Sequence, residues 1–433
     1  FQAEDGIRDV LGGLVGSEMC IRDREIHLAA LHVLEKTGYR ILHEGARALL
    51  KKAGAVVEGE VVKVPRFIVQ HCLRTVPKGF DLYDRDGNWC FTVAGRKSYY
   101  GTSTASPRTR DAVTGEIHET RISDMATSAR VADACEHLDW IMPMGTAQDV
   151  PQRCAELFEF EAVVQNTVKP IIFCAYSPGG HRGVIEMAAA VAGGLDALRQ
   201  RPFIASYPEP ISPLLYPRDV TEKVLTCARF GIPQIPGSAP QIGATAPVTV
   251  AGGIVLTIAE ALMGLVLAQL AAPGAPVLFG GSPTTFDMAR GHKTYGAPET
   301  QLMFAGYAEV AQTYGLPTWG LAGATDAKTP DAQAGIDATF SLLIQTLAGI
   351  NIIHDIGYLD SGMVCSAEML VMGNEICGLV KRFLRGVKID AETLATEVID
   401  AAGHGGHFLQ SPHTLKHFRS EMWHSRLLVR EPY

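Results

Sequence analysis

The sequence predicts an α/β fold, a (β/α)8 TIM barrel with a small N-terminal α+β cap and a C-terminal tail. Over residues 98–385, short apolar runs alternate with long amphipathic runs eight times. Strict alternation of strand and helix indicates a parallel sheet, and eight units indicate a closed barrel. An open doubly wound sheet is the alternative, but no GxGxxG motif follows any of the predicted strands.

Each predicted barrel strand is a short apolar run that ends in glycine, tyrosine or a polar residue. In chain order the runs are SYYGTST, LDWIMPMG, KPIIFCAY, RPFIASY, IPQIPG, APVLFGGS, LPTWGLAG and INIIHDIG. A segment with apolar residues at helical spacing follows each one, such as ISDMATSARVADACEH after the first. Binding and catalytic groups in such barrels lie on the loops that follow the strands.

The regions outside the barrel have different patterns. Residues 25–97 form the predicted cap, with helical segments and a hairpin signal, a D-G turn between alternating runs in FDLYDRDGNWCFTVAG. Residues 386–433 form a predicted C-terminal helical extension, and its abrupt ending is typical of a truncation. Residues 1–24 begin without Met and resemble a translated sequencing adaptor, so we predict that this segment is non-native.

Composition and charge exclude several classes of protein. The 433 residues are 47% hydrophobic and 19% charged, and the net charge is −8 with no long basic run, which argues against a nucleic-acid partner. Nine scattered cysteines without a CxxC pair are typical of reduced thiols in a cytoplasmic protein. Residues 250–272 are long enough to cross a membrane, but Glu260 lies near the middle, so a buried helix is predicted instead.

The stretch SYPEPISPLLY, residues 206–216, follows the fourth predicted strand and contains three prolines. Proline fixes φ, so this loop is predicted to be rigid and to present Tyr207 and Glu209 at the barrel mouth. His354 is equally consistent with a core histidine, and Lys328 with a solvated loop lysine. The further candidates near strand ends are Tyr100, Phe286, His292, Trp319, Asp326, Lys328, His354 and Tyr358. Tyr295 and Asp355 also lie near strand ends, and no role is assigned to them.

Several familiar site motifs are missing from the sequence. It contains no Ser-His-Asp order, no nucleophile elbow and no phosphate loop. SPGGHRG, residues 177–183, is compatible with anion binding at a helix start or with a plain βα turn. The tail HGGHFLQSPHTLKHFRSEMWH matches no zinc signature, so no metal site is predicted.

Three long motifs carry a family resemblance: PGSAPQIGATAPVTVAGGIVLTIAEALMG, GATDAKTPDAQAG and GGHFLQSPHTLKHFRSEMW. Together with YPEPISPL, they resemble the trimethylamine:corrinoid methyltransferase family over residues 25–433. The resemblance implies a (β/α)8 barrel that transfers a methyl group from a methylated amine to Co(I) corrinoid (cobalamin). That corrinoid is carried by a small separate corrinoid-binding protein, so no tightly bound cofactor is expected here; a homo-oligomer is expected.

The chain departs from the family pattern at one point. The archaeal trimethylamine enzymes of the family carry pyrrolysine in the barrel, and this chain contains none. Its counterpart is predicted near Lys328 or Thr329. Family members without pyrrolysine include enzymes for quaternary amines such as glycine betaine, and that substrate class is therefore predicted.

The predicted chemistry agrees with the aromatic residues. A quaternary ammonium has no N–H to donate, so aromatic faces hold it, at about 0.5–2 kcal/mol per contact. Its leaving group departs as a neutral tertiary amine, so no general acid is required, and alignment of the reacting atoms lowers the barrier. We predict that Glu209 orients the cage or meets the cation at longer range. The predicted cage walls are Tyr100, Tyr207, Trp319 and Tyr358, Phe286 is a further substrate contact, and the candidates for a substrate carboxylate are His354, Lys328 and His292.

Two other functions remain open from the sequence. One is a Schiff-base lyase on the same barrel that uses Lys328, which requires a buried lysine with a lowered pKa. The candidate catalytic residues are Lys328, Asp326 and His354. The other is a barrel protein that binds a quaternary amine without catalysis.

Overall fold

In the computed structural model, residues 16–432 are described, with side chains from residue 23 onward. Of the segment predicted to be non-native, residues 1–15 lie outside the described residues. The first helix begins at Gly16 and continues past residue 24, the predicted end of that segment. The strands are β1 (Tyr39–Ile41), β2 (Val56–Glu58), β3 (Val61–Lys63), β4 (Gly79–Tyr83), β5 (Trp89–Ala94), β6 (Tyr99–Thr102), β7 (Arg108–Arg110), β8 (Ile117–Glu119), β9 (Ile171–Phe173), β10 (Ile204–Ser206), β11 (Leu215–Tyr216), β12 (Gln241–Ile242), β13 (Thr284–Asp287), β14 (His292–Thr294), β15 (Trp319–Leu321), β16 (Ile352–Ile356), β17 (Tyr358–Leu359) and β18 (Val364–Ser366). The α-helices are α1 (Gly16–His32), α2 (Glu44–Lys52), α3 (Arg66–Thr75), α4 (Ile122–Ala134), α5 (Ala155–Val164), α6 (Pro178–Ala192), α7 (Leu195–Gln200), α8 (Arg218–Phe230), α9 (Val250–Ala271), α10 (Pro298–Thr313), α11 (Ala332–Leu347), α12 (Ala367–Leu384), α13 (Ala391–Leu394), α14 (Thr396–Ala402) and α15 (Pro412–Glu421).

Eight parallel segments form a closed ring, which confirms the predicted barrel. In chain order they are β6, residues 140–141, β9, β10, residue 234, residues 277–279, β15 and β16. Parallel ladders join β9 to β10, β15 to β16, and β16 back to β6. Single parallel bridges complete the ring at Gly101–Trp140, Ile141–Ile171, Ser206–Gln234, Gln234–Val277 and Phe279–Thr318.

One helix follows each barrel segment, as the alternating pattern predicts. These helices are α4, α5, α6, α8, α9, α10, α11 and α12. Their first turns carry standard capping residues: the side chains of Ser177, Asp331 and Ser366 accept backbone N–H bonds at the starts of α6, α11 and α12. Close approach within the ring depends on Gly101, because an added Cβ would lie 2.3 Å from the Trp140 ring.

The β4–β5 hairpin packs against the end of the barrel at which the strands begin. Its antiparallel register includes the predicted turn at Asp86 and Gly87. Leu82 and Phe91 of the hairpin join a buried cluster with Trp140 and Trp319 inside the barrel. The hairpin therefore extends the barrel core at this end, and the binding face lies at the opposite end.

Helix α9 is the segment of membrane-spanning length. Among the described residues it is the one helix long and apolar enough to cross a bilayer, and most of it is buried within the protein. Helices α1, α3, α8 and α10 pack around it, which explains an apolar surface on every side. The predicted core helix is therefore present.

The buried carboxylate of Glu260 in α9 is bonded to two loops at the barrel mouth. Its oxygens accept hydrogen bonds from Ser212 Oγ and Leu214 N, both at 2.7 Å, and from Ser238 Oγ. Ser212 and Leu214 belong to the loop after β10, and Ser238 to the loop after residue 234. Glu260 therefore fixes both loops against the helix layer.

The C-terminal extension lies on the surface, and α13, α14 and α15 contain no buried residue. Arg382 of α12 and Arg385, which directly follows this helix, donate to backbone oxygens of Glu421 and Ser420. These bonds attach α15 to the barrel, while α13 is joined to α15 through an ion pair of Glu392 with Lys416.

We expect the Glu260→Gln substitution to destabilise the fold by about 1–3 kcal/mol. The amide has the same shape but one acceptor oxygen, so it leaves buried hydroxyl and N–H donors unpaired. The midpoint of urea unfolding, followed by circular dichroism, measures the change.

The matched control is Glu222→Gln, because Glu222 is a half-buried partner of His43 at 3.0 Å in the helix layer. We expect it to cost less than about 1 kcal/mol. Equal losses in the two variants would contradict the role of Glu260 in fixing the loops.

Candidate active site

A cavity of about 350 Å³ lies inside the mouth of the barrel, where the strands end. Its walls come from loops after six of the eight barrel segments, from the end of β15, and from α8. The lining residues are Thr104, Ala105, Cys174, Ala175, Tyr207, Glu209, Lys223, Ala239, Gln241, Ser282, Thr284, Lys293, Tyr295, Leu321, His354, Asp355 and Tyr358. The loops form two small sheets over the mouth, β12–β13–β14 and β17–β18–β7–β8.

The proline-rich loop after β10 is held at both of its ends. Tyr207 N donates to Phe173 O at 2.9 Å, and further along β11 pairs in parallel with β1 of the cap. In the middle of the loop, Ser212 and Leu214 donate hydrogen bonds to Glu260. The loop is therefore rigid for two reasons, restricted proline φ angles and hydrogen bonds to three other elements.

Tyr207 and Glu209 face the cavity from this loop in different ways. The Tyr207 ring is buried, and its hydroxyl lies 3.1 Å from Ser282 Oγ. The Glu209 side chain is exposed to the cavity, although protein atoms surround the cavity itself. This enclosure raises the pKa of Glu209, while the positive charge of Lys293 opposes the shift.

Tyr207 and His354 line the floor of the cavity, and the Trp319 ring packs beneath both of them. The centroid of the Trp319 ring lies 4.2 Å from that of His354 and 5.0 Å from that of Tyr207. Trp319 is fully buried beneath them, and its Nε1 lies 3.4 Å from Ser282 Oγ. Trp319 therefore supports Tyr207 and His354 and does not line the cavity itself.

His354 and Asp355 form a buried, neutral pair at the end of β16. His354 Nδ1 lies 2.6 Å from Gly320 O, which assigns the N–H to Nδ1 and leaves Nε2 as an acceptor. Burial lowers the pKa of His354 to about 3. Asp355 Oδ1 lies 3.3 Å from His354 Nε2. Burial raises the pKa of Asp355 to about 8; Lys293 opposes this shift, and Glu209 adds to it.

The β13–β14 hairpin brings Lys293 and Tyr295 to the cavity. Lys293 Nζ donates to Tyr295 Oη at 2.9 Å, and the Tyr295 ring stacks on that of Tyr358 with centroids 6.3 Å apart. Asp326 fixes the end of the hairpin, because its carboxylate accepts the backbone N–H groups of Tyr295 and Gly296 at 2.9 and 3.0 Å. Asp326 thus positions this wall from outside the cavity.

Four of the predicted site residues line the cavity, namely Tyr207, Glu209, His354 and Tyr358. The other predicted contacts lie elsewhere. Tyr100 is buried against α11, where its hydroxyl lies 3.0 Å from Thr346 Oγ1, because its side chain points away from the barrel interior. His292 is exposed on the hairpin, and Phe286 is half-buried on β13; neither is among the lining residues.

The structure places Lys328 away from the cavity. Its side chain is 66% exposed and pairs with the Asp360 carboxylate. A Schiff-base lysine needs a buried amine, so this position is wrong for the lyase role considered from the sequence. His354 is buried and also lines the cavity. It is therefore both a core histidine and a residue of the candidate site, the two interpretations that the sequence left open.

The predicted set does not contain Lys293, Tyr295, Asp355 or Lys223, which line the cavity. Lys293 adjoins the predicted His292, and strand alternation sends neighbouring side chains to opposite faces. Only the register of the hairpin decides which of the two faces inward. Lys223 lies on α8 and donates to Ala175 O at 2.7 Å, and burial lowers its pKa. No local motif marks it.

The glycine-rich stretch SPGGHRG and the histidine-rich tail, both noted in the sequence, make contacts within the protein. At the start of α6, the Glu156 carboxylate accepts bonds from Ser177 N and Ser177 Oγ at 3.2 and 3.0 Å. This carboxylate occupies the helix start, so the plain βα turn is the interpretation that the structure supports. In the tail, the rings of His413 and His417 lie 4.5 Å apart, and Glu392 accepts from His417.

Comparisons with known proteins identify relatives across almost the whole chain. A family model described as trimethylamine methyltransferase matches residues 18–433. Trimethylamine methyltransferase MttB of Desulfitobacterium hafniense is 34% identical over 398 residues, covering 92% of this chain and 80% of the relative. Glycine betaine methyltransferase of the same species is 29% identical over 412 residues, covering 95% and 86%.

Solved structures show similarity in fold. The monomethylamine methyltransferase of Methanosarcina barkeri superposes with a TM-score of 0.54 at 14% identity. The match covers 84% of this chain and 80% of that protein. At this identity the likeness supports the barrel architecture alone.

The Asp355 carboxyl predicts a dependence of stability on pH. Its folded pKa of about 8 exceeds the ordinary value of 3.8, so the folded chain holds a proton that the unfolded chain has lost. This contribution is fully present below pH 3.8 and is lost as the pH rises through 8. Near pH 6.5, the free energy of unfolding should therefore fall by about 1.4 kcal/mol per pH unit relative to the Asp355→Asn variant, and at about half that slope at pH 8, where the folded carboxyl is half ionised.

Urea unfolding at several pH values between 6.5 and 8 measures this difference. Asp196→Asn is the control, because Asp196 is 91% exposed on α7 and its removal should leave the slope of the wild type unchanged. A wild-type slope equal to that of Asp355→Asn would mean that Asp355 is ionised throughout this range.

Proposed function

The chain belongs to the trimethylamine methyltransferase family, and from this premise we propose that its substrate is a betaine. In this proposal a methyl group passes from the quaternary amine to the Co(I) corrinoid of a small separate protein. Membership of the family makes the chain a methyltransferase for methylated amines. The observation that carries the finer proposal is the joint presence of tyrosine rings, a carboxylate and a lysine in one cavity.

The cation of the substrate would lie among Tyr207, Tyr295 and Tyr358. A quaternary ammonium donates no hydrogen bond, and aromatic faces attract it at about 0.5–2 kcal/mol per contact. Glu209 adds a carboxylate that is exposed to the cavity. Because these four groups line the cavity from three different loops, they can surround a trimethylammonium group.

The carboxylate of the substrate would meet Lys293. Its Nζ lies 4.9 Å from the centroid of the Tyr295 ring, so the ammonium stands beside one of the aromatic walls. A betaine carries both charges on one small molecule, and a cavity with Glu209 and Lys293 offers a partner to each. Lys223 also lines the cavity, although its ammonium already donates to Ala175 O.

The chemistry requires alignment rather than a nucleophile from this chain. The Co(I) centre, when docked, supplies the electron pair that bonds to the methyl carbon. The tyrosine walls fix the ammonium so that the C–N bond points to the mouth, and such positioning can supply several kcal/mol. Positive charge leaves nitrogen in the transition state, so mainly neutral walls avoid excessive ground-state stabilisation.

The rim of the mouth supports a protein partner at this end of the barrel. Large apolar side chains are exposed on four of the loops, at Ile211, Val248, Met288 and Met363. An exposed apolar patch around a cavity is typical of an interaction surface. In this proposal the corrinoid protein would dock on this rim, because the methyl group has to leave through the mouth of the cavity.

The proposed reaction is tested anaerobically with the chain, Co(I) cobalamin and a panel of amines. The panel contains glycine betaine, carnitine, choline, tetramethylammonium and trimethylamine. We expect the visible spectrum to change from Co(I) to methylcobalamin with a betaine. Methylation with trimethylamine alone would overturn the proposed substrate class but keep the methyltransferase.

We expect Lys293→Met to raise the KM for a betaine by at least about 10-fold, because it removes an ion pair of about 1.5–3 kcal/mol. The KM for tetramethylammonium, which has no carboxylate, should change by less than threefold. Lys328→Met is the control, since Lys328 is an exposed lysine outside the cavity, and we expect both constants to stay unchanged. Equal effects of Lys293→Met on both substrates would contradict its role in binding a carboxylate.

A further inference from the structure

Asp355 presents an unusual carboxyl group to the cavity. The side chain lines the cavity but is almost fully buried, with 2% of the residue exposed. Its Oδ1 receives no hydrogen bond from any described residue. Its backbone φ is 83°, an uncommon value for a residue other than glycine. A buried carboxyl in this setting, at a site of group transfer, points to a chemical role.

We propose that Asp355 is a catalytic acid that gives its proton to the amine as the methyl group leaves. This inference rests on the proposed function above, because it concerns the nitrogen that loses the methyl group. It adds a step that the sequence did not lead us to expect. Cleavage of the C–N bond needs no acid, but the free amine that results is a strong base and a nucleophile.

The step balances in atoms and electrons. The C–N bond breaks with its electron pair staying on nitrogen, and the corrinoid of the partner protein would supply the electron pair that binds the methyl carbon. As that bond breaks, the developing lone pair on nitrogen takes the proton of the Asp355 carboxyl in the same transition state, and the O–H electrons stay on oxygen. The product leaves as a tertiary ammonium, and the Asp355 carboxylate regains a proton from solvent.

The neighbouring groups keep this proton available. Burial raises the pKa of Asp355 to about 8, below the ordinary range of an aliphatic tertiary amine, so transfer to the product is favourable. His354 Nε2 lies 3.3 Å from Asp355 Oδ1 and is unprotonated, so it places no positive charge beside Asp355 that would favour the ionised carboxylate. The charged and titratable groups that face Asp355 are Glu209, Lys293, His354, Tyr207, Tyr295, Tyr358 and Cys365.

Of these groups, few change charge near pH 8. Burial raises the pKa values of the tyrosines well above 10 and that of Cys365 to about 12, while His354 stays neutral. Glu209 is raised as well, so its contribution has to be separated by substitution. Protonation of the product removes the lone pair that would otherwise take the methyl group back.

The experiment compares turnover of the wild type and Asp355→Asn between pH 6 and 9.5, with the quaternary amine that gives methyl transfer. We expect wild-type kcat to fall tenfold per pH unit above pH 8. Asp355→Asn should have a kcat lower by about 10²-fold at pH 7 and no break near pH 8. Affinity for the amine at pH 7, measured by calorimetry, should change less than threefold, because a neutral acid is replaced by a neutral amide.

Glu209→Gln separates the two carboxyl groups of the cavity. It removes a negative neighbour that adds to the raised pKa of Asp355, so the break in kcat should move to lower pH, not disappear. If Asp355→Asn does not fold, the Glu209→Gln variant still tests whether the break in kcat near pH 8 belongs to Asp355. A break that stays at its wild-type position in Glu209→Gln would then overturn the assignment to Asp355.

The outcomes distinguish a failure of the catalytic role of Asp355 from a failure of the proposed methyltransferase function. Absence of methyl transfer by the wild type with every amine overturns the proposed function and this inference together. Methyl transfer by the wild type with an unchanged pH profile in Asp355→Asn overturns the inference alone. A large loss of amine affinity in Asp355→Asn also overturns it, because that loss would identify Asp355 as an ionised binding group.

Discussion

The closed parallel ring is the constraint on which the site depends. Because all eight segments run in one direction, their ends meet at one mouth, and loops far apart in the chain converge there. The ring alone does not fix those loops. Glu260 supplies part of that rigidity, since one buried carboxylate holds the loops after the fourth and fifth segments to α9. A buried carboxyl group in the most apolar helix thus helps to shape the mouth of the barrel.

The electrostatics of the cavity follow from its enclosure. Low dielectric surroundings disfavour charge, so burial raises the pKa values of Glu209 and Asp355 and lowers those of His354 and Lys223. In the proposed function, such a site would hold an alkylammonium ion mainly through neutral aromatic faces.

Much of the fold could be predicted from the sequence, and four of the residues predicted for the site line the cavity. Hydrophobic periodicity is a local property, so eight strand–helix units, the hairpin of the cap and the buried character of α9 could all be inferred from the sequence. Tyr207 and Glu209 were accessible because three prolines mark their loop. Tyr100 was predicted to face the cavity but faces the helices. Each residue of a barrel strand faces either the interior or the helices, and a strand buried on both faces has no polar–apolar alternation from which its side could be predicted.

The barrel, the family motifs and the end of the barrel that carries the cavity could be inferred from the sequence, since these depend on local patterns and on the direction of parallel strands. The set of side chains that share the cavity depends on the packing of distant segments. Lys293 faces it because of the register of the β13–β14 hairpin, and Asp355 because of a positive φ at the end of β16. The raised pKa of Asp355 depends on burial and on charges from loops more than 60 residues away in the chain. Such properties arise only when distant segments pack together, so no local pattern encodes them.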